Sequence, residues 1–185
     1  MNLLQDWREA QKNGRKASTK IASGVRIWNS PPEGWVKINV DTAIFQDGSI
    51  GIGSIIRDSS GQFLSARCRK MVGAWQVREA EAISLKEAMS WVKEMNINHC
   101  VFETDSKSLA AACNGKPGEA YFGTIVLDCI HIMKHIDHVL VDFAYRSANT
   151  VAHELAKSTY SMSDVGEWHV TPPDFISHVL QLDSI

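Results

Sequence analysis

"INVDTAIFQDGSIGIGSIIRDSSGQFL", residues 38–64, holds the pattern that decides the fold. Val36, Ile38 and Val40 alternate with Lys37, Asn39 and Asp41, the period-two signature of a strand with one apolar face. That strand spans about Val36–Phe45 and carries a single acid, Asp41, near its end. A second strand, "IGIGSIIRD", runs to the turn "DSSG", and a third follows as "QFLSARCRKMV". Connections this short make hairpins, so the three strands are expected to be antiparallel.

Beyond the hairpins the pattern changes to alternating helices and strands. Residues from about Gln76 to Met95 are rich in Ala, Glu, Leu, Met and Lys and predict a long helix. "HCVFETD" predicts a short buried strand, and "SKSLAAACN" a helix capped by Ser106 and stopped by Gly115. "AYFGTIVLDCIHIMKHI" predicts a helix, "HVLVDFAYR" a strand and "NTVAHELAKSTYS" a helix. The order implies an α/β domain with a five-stranded mixed sheet, three antiparallel strands then two parallel, flanked by helices. Its bounds are expected at 34–162. Residues 1–33 read as a polar leader, closed by the extended Pro-Pro of "WNSPPEGW", and 163–185 as a tail with a short helix.

Composition narrows the function classes. The chain has 185 residues, 44% apolar and 22% charged, enough for one domain with a proper core. The apolar run "FGTIVLDCIHIM" is broken by Asp128 and His131, so no membrane role is expected. The N-terminus lacks an apolar signal core, which points to an intracellular protein of nucleus or cytoplasm. Cys68, Cys100, Cys113 and Cys129 are scattered and read as reduced, buried thiols. Residues 1–30 carry six Lys/Arg against two acids, leaving thirteen against nineteen in the remainder. The folded part is therefore not a strongly basic nucleic-acid binder. Its one basic cluster is Arg67, Arg69 and Lys70, with Arg78 nearby.

Three acids stand out by position. Asp41 ends the first strand, and Asp105 ends the fourth, where ligand sites of open α/β sheets gather. Glu81 shares a helical stripe with Leu85, Ala88, Met89 and Val92, so it faces the sheet. Alone, each acid has an ordinary reading as edge residue, cap or first-turn acid. Together they form a repulsive cluster that divalent cations would relieve, the arrangement that hydrolyses phosphodiesters.

"INVDTA", "GIGSIIRDSSG", "REAEA", "FETDSKSL" and "RSANTVAHELAK", in this order, resemble the type 1 ribonuclease H family. The resemblance is to its plant members related to non-LTR retrotransposon reverse transcriptases, and it covers roughly residues 35–160. It implies a ribonuclease H-like fold and an endonuclease that cuts the RNA strand of RNA–DNA hybrids with two Mg²⁺ or Mn²⁺ ions. Asp41, Glu81, Asp105 and His153 would be the catalytic and metal-holding set, with the substrate 2′-OH distinguishing RNA from DNA. Gly51, Gly53, Ser106, Asn149 and Arg78 are the candidate substrate contacts. The glycines would admit a nucleic-acid backbone close to the second strand, or equally mark close packing. His153 departs from the family pattern, which places an acid four residues after the Asn. Imidazole suits Mn²⁺ better than Mg²⁺. The alternative function is a catalytically weak or inactive module of retrotransposon origin that binds nucleic acid or protein. A 3′-5′ exonuclease would need an Asp-x-Glu where Asp41 is followed by Thr42 and Ala43. The chain is expected to act as a monomer. Trp75 and Trp91 read as packing residues.

Overall fold

The computed structural model describes residues 27–115 and 123–183. The period-two stretch forms β1 (Val36–Ile44), followed by β2 (Ile50–Arg57) and β3 (Phe63–Met71). Helix α1 (Val77–Glu94) leads to β4 (His99–Thr104), and α2 (Lys107–Cys113) and α3 (Gly123–Met133) to β5 (His138–Phe143). Helix α4 (Thr150–Ser158), β6 (Gly166–His169) and α5 (Asp174–Leu182) complete the chain. The sheet order is β5-β4-β1-β2-β3-β6. β1 pairs antiparallel with β2 and parallel with β4, and β5 continues the parallel half.

The mixed sheet is as expected, with one strand more. β6 comes from the tail and pairs antiparallel with β3, from Ser65 against His169 to Cys68 against Gly166. The tail pattern alone predicts only a helix, because four residues are too few for a period to register. The leader up to residue 26 and the start of the helix expected from 120 lie outside the described residues.

Helix α1 sits within its expected limits because its ends are chemically marked. The Gln76 backbone N–H donates to Glu79 Oε2 at 3.1 Å, half of a capping box. Asn96, at φ 56°, supplies the left-handed exit. The stripe of Leu85, Ala88, Met89 and Val92 is buried against Ile38, Val40 and Phe102, making the larger core with α2 and α3. All four cysteines are free and buried. Trp91 is buried in the larger core, and Trp75 packs beside Ile50, Ile52 and Ala80.

The opposite face of the sheet is covered by α4 and α5. Ile55, Ala66 and Cys68 meet Val151, Ala152, Leu155 and Ile176 there. Gly51 and Gly53 lie directly under α4, which corrects the expectation that they meet substrate. A Cβ at Gly53 would stand 2.5 Å from the Ala152 carbonyl oxygen and 2.8 Å from Leu155 Cβ. A Cβ at Gly51 would overlap the Ala156 carbonyl and the Thr159 hydroxyl. The missing side chains admit a helix, not a ligand. Because Gly53 pairs with Asp41 across the β1–β2 ladder, this close approach also sets the height of α4 over Asp41. Gly53→Ala should therefore cost about 1–3 kcal/mol or more, since the clashing partners are mostly backbone. A urea melt with less than about 0.5 kcal/mol of loss would contradict that packing.

The polar residues of β1 are also enclosed. Lys37 is fully buried, donating to the Asn29 carbonyl at 2.5 Å and to Glu103 Oε1 at 2.7 Å. Asn39 Nδ2 donates to Glu103 Oε2 at 2.9 Å, and Asn39 Oδ1 accepts from Trp28 Nε1 at 2.8 Å and from the Arg57 guanidinium at 3.0 Å. The guanidinium lies 3.7 Å from the Trp28 ring centroid and donates to Asp183 Oδ2 at 2.8 Å. Trp28 and Asp183 lie outside the expected domain limits of 34–162, yet both are packed onto β1 and β2. The folded body thus draws in residues from both flanks.

Candidate active site

Asp41, Glu81, Asp105 and His153 line one cleft of about 550 Å³ at the end of β1. Four different elements deliver them. Asp41 lies in β1 and Glu81 in the second turn of α1. Asp105 follows β4, and His153 is in the first turns of α4. Tertiary hydrogen bonds hold the frame: Ser84 Oγ of α1 donates to the Asp41 carbonyl at 2.9 Å, and Thr42 Oγ1 donates to the Ala80 carbonyl at 3.3 Å.

His153 reaches Asp41 directly. Its Nδ1 stands 2.8 Å from Asp41 Oδ2, and the Thr42 N–H donates to Oδ1 at 2.7 Å. With the carboxylate ionised, a neutral ring donates from Nδ1 and keeps its lone pair on Nε2, the nitrogen free to ligate. Burial and the nearby charge of Asp105 push the Asp41 carboxyl up to about 6, against the pull of Thr42 and His153. Burial also raises Glu81, again with Asp105 contributing and the Ser106 hydroxyl opposing. Asp105 Oδ2 lies 3.4 Å from Arg146 Nε, whose side chain is largely exposed.

The other expected contacts divide. Ser106 is buried, with its hydroxyl 3.4 Å from Ser108 Oγ and placed so that it favours ionised Glu81. Arg78 is exposed on the first turn of α1, with its charge favouring ionised Glu81. Asn149 is enclosed, which corrects its assignment to substrate. Its Nδ2 donates to the Val40 carbonyl at 2.9 Å and its Oδ1 accepts from Asn39 Nδ2 at 3.1 Å. Its own carbonyl accepts from the His153 backbone N–H at 3.1 Å. Asn149 therefore pins the start of α4 to β1 and sets where His153 falls. The basic run is matched by acids: Arg67 with Glu167, Arg69 with Glu87 and Lys70 with Asp47. Sequence reasoning missed Arg146, Lys157 and Tyr160, which also line the cleft. Arg146 could have been suspected from its place in "YRSANT", just before α4; Tyr160 gave no signal.

Three carboxylates and an imidazole around one cleft are a donor set suited to a hard or borderline divalent cation. Burial first, and the charge of Asp105 second, disfavour ionised Asp41, and a bound cation would offset both. Among the described residues, however, no three His, Cys, Asp or Glu side chains are gathered closely enough to hold an ion as they stand. Asp41 is turned to His153 and Thr42, and Asp105 to Arg146, so binding would have to redirect them.

A family model described as reverse transcriptase-like matches residues 39–159, about two thirds of the chain. The chain belongs to the reverse transcriptase-like family. A curated relative of this reverse transcriptase-like domain, "Putative ribonuclease H protein At1g65750" of Arabidopsis thaliana, is 24% identical over 160 residues. The match covers 85% of the chain and 26% of that relative, so the chain spans about a quarter of the relative's length. Among solved structures, the RNase H1 of Halobacterium salinarum superposes with a TM-score of 0.64 at 16% identity, over 69% of this chain and 98% of that one. LC11-RNase H1 in complex with an RNA/DNA hybrid gives 0.60 at 20% identity, over 66% and 94%. At these identities the superpositions show a ribonuclease H-like fold. Together with the family match, they bear out the resemblance read from the five motifs.

Proposed function

We propose that this reverse transcriptase-like domain is a divalent-cation-dependent endonuclease that cuts the RNA strand of RNA–DNA hybrids. The observation that carries the reading is the convergence of Asp41, Glu81, Asp105 and His153 on one cleft. Asp41, Glu81 and Asp105 would hold the cations, and His153, once turned from Asp41, would offer a ring nitrogen. Bound divalent cations polarise the phosphate, lower the pKa of an attacking water and stabilise the leaving oxygen. The chain's own residues orient that chemistry. The Thr42 N–H fixes one Asp41 oxygen, and the Ser106 hydroxyl favours the ionised form of Glu81. Arg146, placed beside Asp105, offers a guanidinium to a phosphate oxygen.

One observation favours the second reading, a nucleic-acid-binding module with little turnover. Asp41 is already engaged by His153 and Asp105 by Arg146, so each cation must displace an internal partner. A labelled-hybrid assay separates the two readings. The expected result is cleavage of the RNA strand only, faster in Mn²⁺ than in Mg²⁺, because imidazole tolerates Mg²⁺ poorly. A folded sample that binds hybrid and cuts it in neither metal would favour the binding module. His153→Asp restores an oxygen ligand and a negative charge, and frees Asp41 from the ring. It should strengthen Mg²⁺ binding by about tenfold or more and raise the Mg²⁺-supported rate. An unchanged rate would remove His153 from the account of metal preference.

A further inference from the structure

Phe45 and Tyr160 stand together on the rim of the cleft, with ring centroids 5.1 Å apart and planes at 58°. Lys70 Nζ lies across both rings, 5.6 Å from the Phe45 centroid and 5.2 Å from that of Tyr160. Tyr160 is 64% exposed, so much of its ring surface is open to a ligand. Lys157, one turn before it, lines the same cleft. Among the described residues, both lysines pair with exposed or half-exposed acids, Lys70 with Asp47 at 3.2 Å and Lys157 with Glu154 at 3.1 Å. Such pairs are worth little and yield readily to a phosphate.

The position of this group is as informative as its chemistry. Phe45 follows Asp41 by four residues, about 13 Å along an extended strand. A polynucleotide with its scissile phosphate among the carboxylates would pass the rings within a few nucleotides. Paired bases inside a duplex have no free face for an aromatic ring; an unpaired base does. From this geometry we infer that Phe45 and Tyr160 form a stacking subsite for an unpaired base, with Lys70 and Lys157 facing its phosphates. The inference rests on the nucleic-acid reading above and deepens it. The preferred substrate is a hybrid carrying a single-stranded extension, not a blunt one.

Fluorescence anisotropy in an Asp41→Asn background, where hybrid stays intact, tests this directly. Blunt hybrid and hybrid with a short single-stranded extension are compared on that protein, on Tyr160→Ala and on Tyr160→Phe. The extension should tighten binding about tenfold, the scale of one stacked base. Tyr160→Ala should erase the difference and Tyr160→Phe should keep it. Leu127→Ala, which removes another exposed apolar side chain outside the cleft, should leave the difference in place. Equal affinity for the two hybrids, a preference that survives Tyr160→Ala, or no binding of either would each overturn the subsite. Failure of the wild-type chain to cut hybrid would instead sink the cleavage reading, and the binding comparison would still decide the subsite.

Discussion

Asp41→Asn should abolish RNA-strand cleavage while making the metal-free domain more stable at neutral pH. The carboxyl is pushed up to about 6 in the fold from an ordinary value of 3.8, first by burial and then by Asp105. Between pH 3.8 and 6 the folded state therefore holds a proton that the unfolded state has released. The unfolding free energy falls as pH rises through that window, and the loss persists above it. A shift of this size costs the ionised wild type roughly 2–3 kcal/mol. Asparagine removes the charge but accepts with one oxygen where aspartate accepts with two, returning about 1 kcal/mol. A net gain of about 1–2 kcal/mol is expected at pH 7.5, vanishing below pH 4. Urea melts without divalent ions at the two pH values measure it. Mn²⁺ at a hundredfold its dissociation constant should stabilise the wild type by about 2.7 kcal/mol and do little for the variant. Cleavage should fall by more than about a hundredfold, the scale of losing a charged group at a reacting centre. A variant that is less stable at neutral pH, or that still cuts, would contradict a strained central acid.

Arg57→Ala should be the most destabilising of the single changes considered. The guanidinium is enclosed between the Trp28 ring, Asn39 and Asp183, with its Nε lacking a partner among the described residues. Burial pulls the guanidinium below its ordinary value, and Asp183 and Glu103 hold it up. Removing it leaves the Asp183 carboxylate buried beside Glu103 without its counter-charge and opens a void under Trp28. Breaking one side of a buried ion pair costs about 3–5 kcal/mol, a large part of the 5–15 kcal/mol that holds an ordinary domain together. Replacing both partners, Arg57→Met with Asp183→Leu, should recover much of that loss, because the charges then leave together. A loss below about 1 kcal/mol for Arg57→Ala would show that the flanking residues do not hold the body in solution.

The five motifs, the alternation of β1 and the helical stripe of α1 were enough to place the sheet, the long helix and the three acids. These are local signals: period, caps and turns are written within a few residues of where they act. What stayed hidden depends on partners far away in sequence. Lys37 and Asn39 look like solvent-facing residues of a strand, yet Glu103, Asn149 and the residues around Trp28 cover them. Gly51 and Gly53 allowed two readings, and only the approach of α4, about a hundred residues later, chooses between them. Asn149 sits at the expected spacing from His153, but the spacing does not reveal that its amide turns inward to Val40. Nor does it reveal that the His153 ring reaches Asp41 Oδ2, at 2.8 Å.

The most direct test is anomalous diffraction from crystals of the wild-type chain grown with Mn²⁺. A manganese peak is expected within roughly 2.5 Å of carboxylate oxygens of Asp41, Glu81 and Asp105, the range of cation–oxygen bonds, with His153 turned from Asp41 Oδ2. Crystals at saturating Mn²⁺ with no peak in the cleft, His153 still on Asp41 and Arg146 still on Asp105, would contradict it.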